Sequence, residues 1–326
     1  MKICMGGHVY PLPPNGYAGV ERVATWWTEE LTRRQHRVTL VANADSQLTV
    51  DRLIPKRAGV PDAFVDGFVE AMRSCDVAHD NNDCHTPDPR RWAKPYIYTV
   101  HAMVWNGNPN PVFISHNQAR HFHYTERTGS PPVVNPNGLP PGLYPYREEK
   151  EDFLLWCGAI REPKNPAVAV WLAQQTGWRL KIVGPIQDGR YQYLRQLTPG
   201  AGPIEYLGEL GAERLDLFRR AAAFLYTCSD TWVEGFNLTN IEALLSGTPV
   251  FGWRTPKNRI IEEQIEEGVS GFIFDDVETL RRALTEQWQR RIDPKDCRAK
   301  GETHSVTRTV DRYLSIYQRA IAGERW

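Results

Sequence analysis

The feature that most constrains this chain is a rhythm. A short apolar run, a polar loop, an amphipathic helix and another apolar run follow one another, and the pattern restarts near residue 150. Ile3–Met5 reads as a strand and Gly6 to Gly19 as a loop rich in Gly, Pro and Asn. Val20, Val23, Ala24, Trp27 and Leu31 then fall on one face of a helix. Arg33-Arg34-Gln35-His36 suits the negative end of that helix, and Val38–Ala42 is the next strand. Such a strand–helix–strand unit implies a parallel sheet with helices on its faces. Further runs are Asp76–His79, Tyr96–Val100, Val112–Ser115 and Val133-Val134. The second half repeats the pattern with strands at Phe153–Cys157, Leu180–Val183, Ile204–Leu207, Phe224–Thr227 and Pro249–Gly252. Helices are expected at Ala167–Gln174, Ala212–Ala223, Leu238–Leu245 and Val306–Ile321, the last apolar at Val310, Tyr313, Leu314 and Tyr317. Between the halves, Asn135 to Tyr146 holds four prolines and two glycines, and a charged run, Glu148–Asp152, follows. The expected fold is α/β, with two doubly wound Rossmann-like domains facing a cleft: residues 1–150 and 151–305, then 306–326 as a final helix.

Composition removes several function classes. The 326 residues carry 39 Lys plus Arg and 39 Asp plus Glu, a balance that argues against a general nucleic-acid binder. No apolar run approaches the ~18 residues of a membrane helix. Met1 to Met5 lacks the apolar core of a signal peptide, so a cytoplasmic location is expected. The six cysteines form no CxxC pair and read as reduced, buried thiols.

Open parallel sheets bind ligands beyond the carboxyl ends of their strands, so the loops after strands are the candidates. Asn15-Gly16-Tyr17-Ala18-Gly19 lies directly before a helix, where glycine and the helix N-terminus favour an anion, although a plain strand-to-helix loop reads the same way. His79, Asp80 and His85 crowd together, but their spacing fits no standard zinc motif, and a polar loop lining a cleft is expected instead of a metal. His101 and His116 follow strands and could meet a sugar hydroxyl or move a proton. Arg161 and Lys164 lie in the loop after Phe153–Cys157, where two cations could neutralise a diphosphate. The most informative stretch runs from Ser229 to Leu244. Glu234 and Glu242 are separated by seven residues, Gly235 and Asn237 suit a tight turn, and a helix follows. Its N-terminal N–H groups would be offered to a ligand, and each carboxylate could accept from sugar hydroxyls.

At these residues the chain resembles the retaining glycosyltransferases of the two-Rossmann-domain (GT-B) fold, family four, glycosyltransferases group 1. The Glu-x7-Glu element Glu234 to Glu242 is similar to the family's nucleotide-sugar signature. Thr99-Val100-His101, Asn135-Pro136-Asn137-Gly138, Gly158 to Lys164, Ile182-Val183-Gly184 and Gly247-Thr248-Pro249-Val250 appear in the family's order. The short length resembles compact bacterial members, including those of antibiotic biosynthesis.

The resemblance implies transfer of a sugar from a nucleoside-diphosphate sugar, UDP rather than GDP, to an acceptor hydroxyl with retention and without a metal or other cofactor. It implies Glu242 on the ribose, Glu234 on the donor sugar, and backbone N–H groups of Phe236, Asn237, Leu238 and Thr239 on sugar hydroxyls or phosphate. Lys164 would bind the diphosphate, Gly19 would approach it, Gly184 would belong to the donor loops, and His101 would approach the reacting carbon. It also implies that residues 306–326 cross back onto the N-terminal domain.

Four departures stand out. Ala159 occupies the position of the family's arginine, leaving Arg161 as its substitute; Asn165 and Asn237 replace glycines; and Arg254-Thr255-Pro256-Lys257 replaces a glycine pair. Alternatives are a nucleotide-sugar epimerase of the same architecture and a non-catalytic two-domain ligand-binding protein. The acceptor is not identified.

Overall fold

In the computed structural model every strand pairing among the described residues is parallel, as strand–helix–strand connections require. The structure describes residues 1–7, 10–16, 18–56, 68–81, 95–105, 107 and 109–326. It divides into two units, Met1–Leu139 with Ser305–Trp326, and Pro140–His304. The division therefore falls after Leu139, not near residue 150. The charged run Glu148–Asp152 leads straight into the second unit's first strand, and its residues pair there: Arg220 with Glu151 at 2.6 Å and Lys295 with Glu148 at 3.3 Å.

The first unit holds β1 (Lys2–Gly6), β2 (Arg37–Asn43), β3 (Arg52–Lys56), β4 (Val77–Asp80), β5 (Tyr96–Val100), β6 (Pro111–Phe113) and β7 (Val133–Val134) in the order β3-β2-β1-β4-β5-β6-β7. β3 was not expected from its polar sequence. It carries Pro55 at the sheet edge, where a residue without an N–H is tolerated. The helix Gly19–Arg33 buries Val23, Ala24, Trp27 and Leu31, the face read from the sequence.

The helix Val306–Ile321 packs on the helix Gly19–Arg33 within this unit. Ser305 caps its start, and Arg34 reaches Asp311 at 2.5 Å and the Thr307 carbonyl at 3.0 Å. Val310, Tyr313 and Tyr317 are buried and Leu314 is half-buried; a side chain such as Val310 contributes on the order of 2 kcal/mol by leaving water. Gly138 makes the approach possible, since a Cβ there would lie 2.4 Å from Thr309 Oγ1 and 2.6 Å from the Ser305 carbonyl oxygen.

The second unit holds β8 (Glu151–Cys157), β9 (Leu180–Val183), β10 (Ile204–Tyr206), β11 (Ala221–Tyr226), β12 (Val250–Trp253) and β13 (Gly271–Phe274) in the order β10-β9-β8-β11-β12-β13. The helix expected over Ala212–Ala223 ends at Arg220, and β11 begins at Ala221. Alanine favours helix, but Ala221 pairs with Glu151 and Ala223 with Leu154, and these residues are buried in the sheet. Tertiary pairing overrides local propensity here.

Candidate active site

In each sheet the chain starts near the middle, builds to one side and then crosses to the other. The reversal lies between β1 and β4 in the first unit and between β8 and β11 in the second. Loops on either side of such a reversal diverge and leave a crevice at the strands' carboxyl ends.

In the second unit that crevice is framed by residues 158–165 after β8 and 227–237 after β11. The first loop is held by backbone bonds to the end of β9: Gly158 N–H to the Val183 carbonyl at 3.0 Å and Ile160 N–H to the Pro185 carbonyl at 2.8 Å. Gly184 permits this approach. Its φ is +140°, and a Cβ there would lie 1.8 Å from the Gly158 carbonyl oxygen. Gly184 thus acts on the site through the loop it lets pass.

Lys164 stands at the end of a short 3-10 turn, Glu162–Lys164, with Asn165 in the left-handed region at φ 51°. Its ammonium group makes a close ion pair with the Glu234 carboxylate, which comes from the other loop. The two loops are also tied by Ser229 N–H to the Pro163 carbonyl at 3.0 Å, Thr227 Oγ1 to the Lys164 carbonyl at 2.9 Å, and Thr231 Oγ1 to Glu162 at 2.7 Å. Arg161 packs over the Trp232 ring at 5.6 Å, a cation–π contact that keeps a second positive charge beside this loop. Cys228 donates to Glu234 at 3.6 Å, and burial pushes its thiol up to about 12, so it stays a neutral donor.

Asn237 is the N-cap of the helix Leu238–Leu245: its side-chain oxygen accepts from Asn240 N–H at 3.2 Å and from Thr239 Oγ1 at 2.6 Å. Gln264 holds the same turn from outside, donating to the Asn237 carbonyl at 2.9 Å and accepting from Asn240 at 2.8 Å. A glycine at 237 would have no such cap. Phe236 is buried, while Leu238 and Thr239 are half-buried.

Glu242 is fully buried. Its carboxylate accepts from Arg214 at 2.9 Å and from the Tyr144 hydroxyl at 3.2 Å. It does not share the Lys164–Glu234 pair, although both glutamates come from one short segment.

Sequence reasoning missed Asn258. Its side-chain oxygen accepts from Glu234 N–H at 2.6 Å, and its amide donates to the carbonyls of Ser229 and Trp232 at 2.5 Å each. One buried amide therefore ties down the strand-end loop that carries Glu234. It follows directly on Arg254–Lys257, the stretch that departs from the family's glycine pair. That departure was the available signal. Arg214 and Tyr144 carry no comparable pattern.

In the first unit, Gly19 is the first, half-buried residue of its helix, after Ala18 as N-cap. His101 is buried. Its Nε2 meets Asn81 Oδ1 at 3.0 Å, and its ring stacks on Trp27 at 5.6 Å. Trp27 also stacks on His79 at 5.9 Å. His79 uses both ring nitrogens, Nδ1 with Tyr317 Oη and Nε2 with Thr99 Oγ1, each at 2.7 Å. Burial pushes its pKa down to about 3, so it is neutral. Asp80 accepts from the Tyr96 hydroxyl at 3.0 Å. These two residues are structural groups of the sheet; His85 lies outside the described residues. His116 is the first residue of the helix His116–His121, capped by Ser115.

Residues 154–290 match the family model described as Glycosyl transferases group 1. No curated protein matches the chain. Among solved structures, AviGT4, a glycosyltransferase involved in avilamycin A biosynthesis, is 25% identical with a TM-score of 0.78, over 100% of this chain and 99% of that one. Sucrose-phosphate synthase from Thermosynechococcus elongatus is 15% identical with a TM-score of 0.75, over 99% of this chain and 100% of that one. The Anabaena protein HepE, solved in complex with UDP-glucose, is 14% identical with a TM-score of 0.70, over 97% of this chain and 99% of that one. The α/β fold with two Rossmann-like domains, and the resemblance to group 1 glycosyltransferases, are thus borne out. No helix among the described residues is long and apolar enough to cross a membrane.

Proposed function

We propose that this chain, matched over residues 154–290 to group 1 glycosyl transferases, moves a sugar from a nucleoside-diphosphate sugar to an acceptor hydroxyl with retention at the reacting carbon. One observation carries the proposal: Lys164 and Glu234, from loops after two different strands, meet at the reversal point of the second sheet. A diphosphate needs a fixed cation and a sugar needs a carboxylate that accepts from its hydroxyls. The crevice supplies both side by side.

In this reading the diphosphate takes Lys164 over from Glu234, and the freed carboxylate turns to the sugar hydroxyls. Backbone N–H groups of Phe236–Thr239 hold further hydroxyls or phosphate, and Arg161 adds positive charge. Glu242 serves the ribose, with Arg214 and Tyr144 setting its position. In the first unit, the crevice with Gly19 and His101 at its edge takes the acceptor.

The acceptor oxygen forms its bond to the reacting carbon on the face from which the diphosphate departs. The carbon–oxygen bond to phosphate breaks, its electron pair leaves with the diphosphate, and the acceptor proton passes to the departing phosphate oxygen. The protein supplies position and fixed charge, with Lys164 meeting the charge that develops on the leaving group. UDP is the proposed nucleotide, supported by HepE, whose solved complex contains UDP-glucose.

Incubation with UDP- and GDP-sugars, following release of the nucleoside diphosphate, tests the reading. Release with an unepimerised sugar supports it. An epimerised donor, or binding without release in the presence of a broad acceptor set, contradicts it.

A further inference from the structure

A groove of about 550 Å³ in the first unit is lined by Pro131, Pro132, Arg312, Arg319, Arg325 and Trp326, among others, and no Asp or Glu lines it. The chain as a whole balances 39 cationic against 39 acidic residues, so three lining arginines, of which Arg319 is paired with Glu324, are a local departure. The wall is built. Trp326 donates its backbone N–H to Asn110 Oδ1 at 3.3 Å and its indole N–H to the Pro111 carbonyl at 2.8 Å. Arg319 lies over the indole ring at 4.8 Å and is steered by Glu324 at 2.7 Å.

An arginine in the last turn of a helix is ordinarily explained by the helix dipole. That covers Arg319 of the helix Val306–Ile321. It does not cover Arg312, in mid-helix, or Arg325, beyond the helix end. Arg312 and Arg319 are seven residues apart, two turns on one face, which places their backbones roughly 10 Å apart along the groove. The position is also distinct. Pro131 and Pro132 precede β7 and Pro111 begins β6, so the groove lies at the amino ends of these parallel strands. The crevice with His101 lies at the carboxyl ends.

We propose that this groove is a second ligand site, taking a phosphate-bearing anion whose phosphate meets Arg312 and Arg325 and whose body lies on Trp326 and the two prolines. Guanidinium forks fit phosphate oxygens two at a time, and two such cations without a lining acid match a doubly charged phosphate better than a carboxylate. The phosphate could be that of a soluble metabolite or of a lipid headgroup, and the two are separated by the probes.

The test uses the full chain carrying Lys164→Ala, so that the donor crevice does not compete, at about 0.15 M salt where diffuse surface attraction is screened. One arm titrates inorganic pyrophosphate. The other measures sedimentation with vesicles of phosphatidylcholine alone or with phosphatidic acid, whose phosphate monoester can carry two charges. The expected result is binding in at least one arm, weakened at least tenfold by Arg312→Ala with Arg325→Ala. Both side chains are exposed, so the melting temperature should not move. The Arg312→Lys, Arg325→Lys pair should bind at an intermediate level. Binding in neither arm, unchanged binding by the alanine pair, or full affinity in the lysine pair would each overturn the proposal, the last by showing diffuse charge rather than a site.

Discussion

Lys164 and Glu234 form a close ion pair with 13% and 11% of their side chains exposed, although they follow different strands, β8 and β11. Partial burial sharpens the electrostatics. Neither charge is screened as it would be on an open surface, so removing one partner leaves the other poorly compensated. In the proposed function the pair is also the resting state of the site, since a bound diphosphate would compete with Glu234 for Lys164.

Asn258 tests whether the loop's position matters as much as its charges. Asn258→Ala removes the acceptor of Glu234 N–H and the donors to Ser229 and Trp232, and should destabilise the second unit by about 2–3 kcal/mol. Because small displacements of positioned groups are costly, turnover should fall by at least ~10-fold. Asn258→Asp retains the acceptor but sets a buried carboxylate oxygen against the Ser229 and Trp232 carbonyls, so it should not recover the loss. Equal turnover in wild type and Asn258→Ala would remove Asn258 from the account.

Glu242 is a case in which burial and ligand contact predict different things. Breaking its pair with Arg214 should cost about 3 kcal/mol in Glu242→Ala, read by chemical denaturation. If ribose also meets this carboxylate, Glu242→Gln, which keeps the shape, should weaken UDP binding by about 10-fold or more. Wild-type UDP affinity in a folded Glu242→Gln protein would leave Glu242 a purely structural role.

Gly184 is constrained by backbone, not by ligand. A Cβ 1.8 Å from the Gly158 carbonyl oxygen, at φ +140°, cannot be relieved by a rotamer change. Gly184→Ala should lower stability by several kcal/mol, on the order of 3 or more. Gly177→Ala, also at positive φ but with nothing within 4 Å, should cost less. Comparable losses in thermal melts of the two variants would argue against the close approach.

These residues also mark how far the sequence reaches. The strand–helix alternation made both parallel sheets legible, because short apolar runs and the 3.6-residue period of a helix face are local signals. Lys164 and Glu234 were legible as candidates because they sit in loops after strands. Their pairing was not, since it depends on β11 lying beside β8 after a crossover. Ala221–Ala223 misled because alanine's local preference gave way to pairing with β8. Asn258 acts on Glu234 from 24 residues away, through side-chain bonds that no sequence period encodes. His79 was expected in a polar loop lining a cleft and is instead a buried, doubly bonded core group.

That burial has a pH signature. His79 is held down to about 3 in the folded chain, against about 6.5 when unfolded. Below pH 6.5 the unfolded chain takes up a proton that the folded chain refuses, so stability is lost as pH falls toward 3. The slope from this residue is at most about 1.4 kcal/mol per pH unit. Denaturation of wild type and His79→Gln between pH 7 and pH 5 should show a shallower pH dependence in the variant. Parallel curves would contradict a neutral, desolvated His79.

The central claim is that Lys164 serves a diphosphate and Glu234 a sugar. The most direct measurement is calorimetric titration of UDP and of UDP-glucose into wild type, Lys164→Ala and Glu234→Gln. Loss of a hydrogen bond to a charged group is worth about 1.5–3 kcal/mol, so Lys164→Ala should weaken UDP binding by roughly 10- to 150-fold. Glu234→Gln frees Lys164 and should bind UDP at least as tightly as wild type, while losing the extra affinity that the sugar confers. Wild-type UDP affinity in Lys164→Ala, or parallel losses of UDP and UDP-glucose in Glu234→Gln, would contradict the account.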